Sequence, residues 1–88
     1  MKLIIAIVRD NDNDTVSHAL TQNDFRVTYV ASTGGFLRRG QSTLMIGVED
    51  EMVEKALDII RKNVTPASAE DERRSTIFVI KVDQFLHF

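Results

Sequence analysis

Ser32-Thr33-Gly34-Gly35-Phe36-Leu37-Arg38-Arg39-Gly40 joins two β-rich runs, 25–31 and 42–48, and contains three of the four glycines in the sequence. A hairpin that only reverses the chain needs two residues such as Asn-Gly, so this longer loop is expected to be functional or disordered. Backbone N–H groups around the Gly-Gly pair can bind an anion, and the two arginines can contact phosphate. From glycine content alone, a mobile loop with solvated arginines is slightly favoured.

The two runs beside the loop predict which side chains face the helices. Residues 25, 27 and 29 are large and apolar, and their alternation predicts that they face the helical layer. Arg26 and Thr28 are therefore expected to share the opposite face. The second run is apolar on both faces, and Gly47 in its interior suggests that another group approaches the backbone closely.

The rest of the chain supplies two more strands and two helices. Lys2–Arg9 is a continuous, β-branched-rich apolar run that predicts a doubly buried strand. Apolar residues three and four apart predict a helix ending near Gln22 and a second helix from 49 to Asn63, and residues 76–82 predict the last strand. The order β-α-β-β-α-β predicts a single α+β domain over residues 1–88: a ferredoxin-like antiparallel sheet with two helices on one face.

The polar segments and the tail lead to three further expectations. In the run 10–14, Asn13 or Asp14 is expected to cap the first helix, and the missing glycine and distal glutamate argue against a calcium loop. Residues 65–75 are expected to form a solvated loop. The tail 83–88 is unusually apolar, so it is expected to dock rather than remain free.

Composition excludes several classes of function. Eleven basic and thirteen acidic residues disfavour duplex DNA as the main partner, and the absence of cysteine excludes disulfides and thiolate metal sites. With two histidines, a histidine-rich metal site is not expected either. The run 3–8 is too short for a signal peptide, and no segment is long enough to span a bilayer. We expect a soluble, cytoplasmic domain with no cofactor.

Three of the four predicted strands are apolar on both faces. One layer of helices covers only one face of a sheet, so the other face must be covered in another way. In a chain of 88 residues, self-association is the simplest cover. The sequence therefore predicts an oligomer in which the sheets pack on each other.

Several motifs resemble one known family, the PII-like cyclic di-AMP receptors of bacterial signalling. The resemblance runs from Met1 to about Arg61 and resumes near Ser75. Its most specific part is the block Thr33-Gly34-Gly35-Phe36-Leu37-Arg38 followed by Gly40. The other matching segments are the start Met1-Lys2-Leu3-Ile4-Ile5-Ala6-Ile7-Val8-Arg9-Asp10, Phe25-Arg26-Val27-Thr28, Gly47-Val48, and Phe78-Val79 with Val82-Asp83-Gln84-Phe85.

This resemblance implies a homotrimer that binds cyclic di-AMP in clefts between subunits and signals through the 33–40 loop to an unknown protein partner. It implies a receptor rather than an enzyme. The implied ligand-binding residues are Arg26, Thr28, Gly35, Phe36, Leu37, Gly47 and Phe78, with Asp24, Gln41 and His87 at positions where the family usually has Asn, Asn and Gln. The family also has a much longer segment in place of residues 65–75.

Three alternatives follow from these departures and from the residues themselves. The chain can be an oligomeric interaction module with a vestigial pocket, because Asp24 and the short 65–75 link weaken the site. It can bind ATP, ADP or AMP instead of cyclic di-AMP. A small enzyme of the acylphosphatase type ranks last, because residues 10–14 place negative charge where an arginine cradle would be needed.

Overall fold

A computed structural model describes residues 1–32, 40–65 and 75–86. Within these ranges the elements follow the predicted β-α-β-β-α-β order, and the predicted strand ends differ from the observed ones by at most two residues. The elements are β1 (Lys2–Arg9), a 3-10 turn (Asp10–Asp12), α1 (Asn13–Gln22), β2 (Val27–Ser32), β3 (Gln41–Val48), a second 3-10 turn (Asp50–Met52), α2 (Val53–Asn63) and β4 (Ser75–Lys81).

The four strands form one antiparallel sheet in the order β2-β3-β1-β4. The most apolar strands, β1 and β3, are therefore central, and β2 and β4 form the edges. This topology confirms the predicted ferredoxin-like fold. The pairing of β2 with β3 shifts between Tyr29 and Ala31, a bulge that bends this edge strand.

The hydrophobic core lies between one face of the sheet and the two helices. Because side chains alternate along a strand, every second residue of β1 and β3 points into it. The core residues from the sheet are Ile4, Ala6, Val8, Leu44, Ile46 and Val48, and those from the helices are Val16, Leu20, Ala56 and Ile60. We call this side of the sheet the covered face.

The opposite side of the sheet, which we call the open face, is also apolar. The register places Leu3, Ile5, Ile7, Met45, Phe78 and Ile80 on it. Phe78 is 52% exposed and Ile80 45% exposed, whereas the core residues of β1 are fully buried. The prediction that the central strands are apolar on both faces is thus confirmed.

The end of α1 is closed by a backbone motif centred on Asp24. Asp24 has φ 68, and its N–H donates to the Thr21 carbonyl while the Phe25 N–H donates to the Leu20 carbonyl, both at 3.0 Å. This is the Schellman arrangement, in which an αL residue ends the helix and the residue after it packs back on the last turn. Phe25 and Leu20 are both buried, so the motif delivers the chain into β2.

The prediction that the run 10–14 caps α1 is wrong, because no side chain caps the start of that helix. Asp12 is buried instead, and its carboxylate accepts hydrogen bonds from the backbone N–H and the hydroxyl of Thr65. The Arg9 guanidinium lies 3.5 Å from the same carboxylate and donates to the Thr65 carbonyl. A buried carboxylate needs such partners, so these residues fasten the end of α2 to the end of β1.

Candidate functional site

A cavity of about 500 Å³ opens on the open face, at the end of the sheet where β1 begins. This volume lies within the range of small-molecule pockets. Its lining residues are Met1, Leu3, Arg26, Thr28, Met45, Gly47, Val82 and Phe85. Arg26 and Thr28 supply its polar side chains and aliphatic, thioether and aromatic groups supply the remaining walls, so the cavity is amphipathic. We call it the open-face cavity.

A second depression, of about 360 Å³, adjoins the first and shares Arg26 and Gly47 with it. It runs from the end of α1 towards the start of α2. The other lining residues are Asn23, Asp24, Phe25, Val48, Glu49, Met52 and Lys55. We call it the adjoining groove, and its lining includes two acidic residues, Asp24 and Glu49, as well as the arginine.

Arg26 immediately precedes β2, and alternation along residues 26–28 places it and Thr28 in the open-face cavity. Val27 pairs with Ile46 and packs against the core, whereas Thr28 pairs with Met45 on the open face. Arg26 has no ion pair within residues 1–32, 40–65 and 75–86. A planar guanidinium in this position can form a two-pronged contact with phosphate oxygens, and a threonine hydroxyl can donate to the same group.

Gly47 lines the cavity together with Met1, whose side chain occupies the space next to the glycine. A Cβ atom added at Gly47 would lie 3.2 Å from Met1 Cε, closer than side-chain carbons normally approach. The Met1 carbonyl accepts a hydrogen bond from the Val82 N–H at 3.1 Å. This bond continues the pairing of β1 with β4 and holds the Met1 backbone in place. The predicted close approach at Gly47 is thus confirmed, and the approaching group is a thioether methyl.

The rim beside Met1 carries an exposed ion pair. The N-terminal amine lies 3.0 Å from the Asp50 carboxylate. The hydrogen bond from this amine lowers the pKa of the Asp50 carboxyl, and the positive charges of Lys2 and Lys81 lower it to a smaller extent. This contact ties the start of the chain to the 3-10 turn before α2, at the edge of the cavity.

The structure gathers four of the predicted ligand-binding residues and separates two others. Asp24, Arg26, Thr28 and Gly47 line the cavity or its adjoining groove. Gln41 begins β3, six residues from Gly47, which corresponds to about 20 Å along a strand. Phe78 lies on the open face opposite Ile5 but does not line the cavity. The predictions for Gly35, Phe36, Leu37 and His87 lie outside the described residues.

Sequence reasoning missed the apolar walls of the cavity. Met1 and Leu3 come from the first segment, Met45 from β3 and Val82 from the chain after β4, and only strand pairing brings these three segments together. Phe85 also lines the cavity, although it is 66% exposed, and the neighbouring Leu86 is 62% exposed. Within residues 83–86 the tail therefore reaches the site through Phe85, while its large apolar side chains stay mostly exposed.

Two other depressions on the described surface contain none of the predicted ligand-binding residues. One of about 720 Å³ lies along α1 and is lined mostly by polar side chains. The other, of about 500 Å³, lies between α2 and β4 and is lined mainly by aliphatic side chains; its Arg61 already lies 3.3 Å from Asp58. In the described ranges no three histidine, aspartate or glutamate side chains converge to hold a metal ion. With 10 and 11 residues, neither α1 nor α2 could span a membrane, and no other described helix could.

Comparison with known proteins gives two findings. A family model described as a cyclic-di-AMP receptor matches residues 1–70, which include β1 through α2. A solved structure, described as a functionally unknown protein from Pediococcus pentosaceus, is 37% identical to this chain with a TM-score of 0.78. The match covers 99% of this chain and 96% of that chain, so the relative has a similar length and no long insertion.

Proposed function

Because the chain belongs to the cyclic-di-AMP receptor family, we propose that it binds cyclic di-AMP in the open-face cavity. The observation that carries the proposal is the cavity itself, where Thr28 and Arg26, which has no ion pair with any described residue, lie beside apolar walls. A nucleotide presents the complementary pattern, with a charged phosphate next to a flat, largely apolar base.

Each half of the cavity has a role in this proposal. Arg26 contacts phosphate oxygens in two-pronged geometry, and Thr28 donates to the same group from the next open-face position. Met45, Leu3 and the Met1 side chain hold one side of the base, because thioethers and aliphatic groups pack well against aromatic rings. The absence of a side chain at Gly47 leaves room for the ligand and for Met1 together.

The proposal includes a homotrimer with the ligand between subunits. The cavity opens on an apolar sheet face that the two helices do not cover, and exposed apolar patches of this kind mark interaction surfaces. Gln41 and Phe78 do not line this cavity in their own chain. In a trimer, a neighbouring copy brings such residues to the ligand.

The proposed role is that of a receptor and not of an enzyme. The 33–40 loop predicted from the sequence connects β2 to β3, and both strands contribute residues to the cavity. Ligand contacts to these strands are therefore positioned to change how the loop engages a protein partner. A cytoplasmic location, expected from the sequence, stays a prediction.

Calorimetric titration tests the proposal. Cyclic di-AMP is expected to give saturable heat, with ATP, ADP and AMP as comparison ligands. Arg26→Ala should weaken binding about 10- to 100-fold, since a charge-assisted contact to phosphate is lost. The matched control is Arg61→Ala, which removes an exposed arginine on α2 and should leave affinity unchanged. No heat with any nucleotide at high micromolar concentration would reject the proposal.

One observation favours a second function. The Asp24 carboxylate lines the adjoining groove and repels phosphate, which fits an interaction module whose pocket no longer binds. Such a module would capture its protein partner equally with and without nucleotide in a pull-down. A receptor instead predicts that cyclic di-AMP changes the amount of partner retained.

A further inference from the structure

We infer that the aromatic ring of Phe85 stacks on an adenine base of the bound nucleotide. This inference rests on the proposed function and deepens it, because it assigns a wall of the base pocket to the segment that follows β4. Residues 83–86 are the described part of this segment, and they lie outside regular secondary structure.

The first step is how this segment reaches the open-face cavity. β4 runs antiparallel to β1, so the chain leaves β4 where β1 begins. There the Val82 N–H donates to the Met1 carbonyl at 3.1 Å, and Met1, Val82 and Phe85 all line the cavity. The bonded Val82 is three positions before Phe85, so the backbone holds the ring close to the cavity.

The second step is that Phe85 and the sheet form different parts of the cavity. Leu3 and Met45 project from the open face of β1 and β3 and form its floor. Phe85 comes from beyond the end of β4, so it forms part of a wall outside the sheet. A flat base that rests on the floor has a second side, which an aromatic ring outside the sheet can cover.

The third step is the exposure of the ring. Phe85 is 66% exposed although it lines the cavity, whereas Leu3 and Met45 are partly buried. A base that covers the ring removes apolar surface from water and adds dispersion contacts between two flat π systems. Stacking on the ligand therefore buries a ring that the described residues of the chain leave mostly in water.

Calorimetric titration with cyclic di-AMP is the first test. Phe85→Ala should weaken binding about 5- to 100-fold, because one base–aromatic stack is lost. Phe85→Tyr keeps a ring and should bind within about threefold of wild type. Phe85→Leu is apolar but has no ring, so it should lose nearly as much affinity as Phe85→Ala. The matched control is Leu86→Ala, at a neighbouring residue that is 62% exposed and does not line the cavity; its affinity should be unchanged.

Fluorescence distinguishes stacking from a purely structural role of Phe85. The sequence contains no tryptophan, so Phe85→Trp introduces a single indole. Cyclic di-AMP should quench its emission, because the adenine base covers the indole. Leu86→Trp is the matched control and should respond far less. Every variant should also sediment with the mass of wild type, because the ring contacts the ligand and not another subunit.

If wild type binds cyclic di-AMP but Phe85→Ala binds equally well, the inference is overturned while the proposed function stands. The same conclusion follows if the emission of Phe85→Trp does not change at saturation, if Leu86→Trp responds as strongly, or if Phe85→Ala sediments at a lower mass than wild type. If neither wild type nor Phe85→Trp binds any nucleotide, the proposed function falls and the inference with it.

Discussion

The two faces of the sheet have nearly the same composition but very different surroundings. On β1, Ile4, Ala6 and Val8 face the helices and are fully buried, whereas Leu3, Ile5 and Ile7 alternate with them and stay partly exposed. The hydrophobicity of a strand face therefore does not show whether the helices of the same chain cover that face or leave it exposed. The distinction comes from the two helices, which lie on one side only.

A second difference lies within the open face. Most of it is apolar, but the end next to Gly47 carries Thr28 of β2 and Arg26, which immediately precedes that strand. The Arg26 guanidinium has no ion pair with another residue of the described ranges, so it is available to a ligand phosphate or to a carboxylate of a neighbouring subunit.

The largest expected effect comes from the covered face. Ile4→Ala should lower the free energy of unfolding by about 2–5 kcal/mol, because it leaves a cavity among fully buried neighbours. Denaturant unfolding measures this value. The loss should be the same at every protein concentration; a loss below about 0.5 kcal/mol would contradict the placement of Ile4 in the core.

The neighbouring residue tests the open face with a matched change. Ile5→Ala should lower stability by about 1–2 kcal/mol at high protein concentration and by less at low concentration, because its burial depends on association. Thermal unfolding over a hundredfold range of concentration distinguishes the two isoleucines. If Ile5→Ala behaves like Ile4→Ala at all concentrations, the two faces do not differ in the way described.

At the polar end, Gly47→Ala should mainly affect the ligand. The added Cβ displaces the flexible end of Met1, 3.2 Å away, so the expected loss of stability is no more than about 1 kcal/mol. The displaced thioether then enters the cavity and should weaken cyclic di-AMP binding several-fold in calorimetry. Unchanged affinity would remove Gly47 and Met1 from the site.

The smallest effect concerns the helix end beside the groove. Asp24→Ala should cost about 1 kcal/mol, since an alanine is less favourable than aspartate at φ 68. Asp24→Gly should cost less or nothing. Equal losses for the two variants, measured by denaturant unfolding, would show that backbone conformation is not what Asp24 contributes to stability.

The sequence predicts the features that depend on local periodicity. Alternation along the run 25–31 places Arg26 and Thr28 on the correct face, and the continuous apolar runs of β1 and β3 predict strands that are apolar on both faces. Gly47 is predicted because a glycine inside an apolar strand suggests a close approach. Each of these features can be predicted from a residue and its immediate neighbours in the sequence.

Features that join distant segments could not be predicted in this way. Asp12 resembles a cap residue because it precedes a helix, but its partner Thr65 is 53 positions away. Met1 becomes part of the site only because β1 pairs with β3 and the chain after β4 returns beside it. The αL conformation of Asp24 also has no distinct signal, since Asn-Asp pairs end helices in several ways.

The central claim is that the open face is a subunit interface with the nucleotide site at its margin. Sedimentation equilibrium of the wild-type chain tests it most directly. The account predicts a species of about three times the 10.0 kDa chain mass, held over the micromolar range. A single species at the mass of one chain, at every concentration, would contradict it.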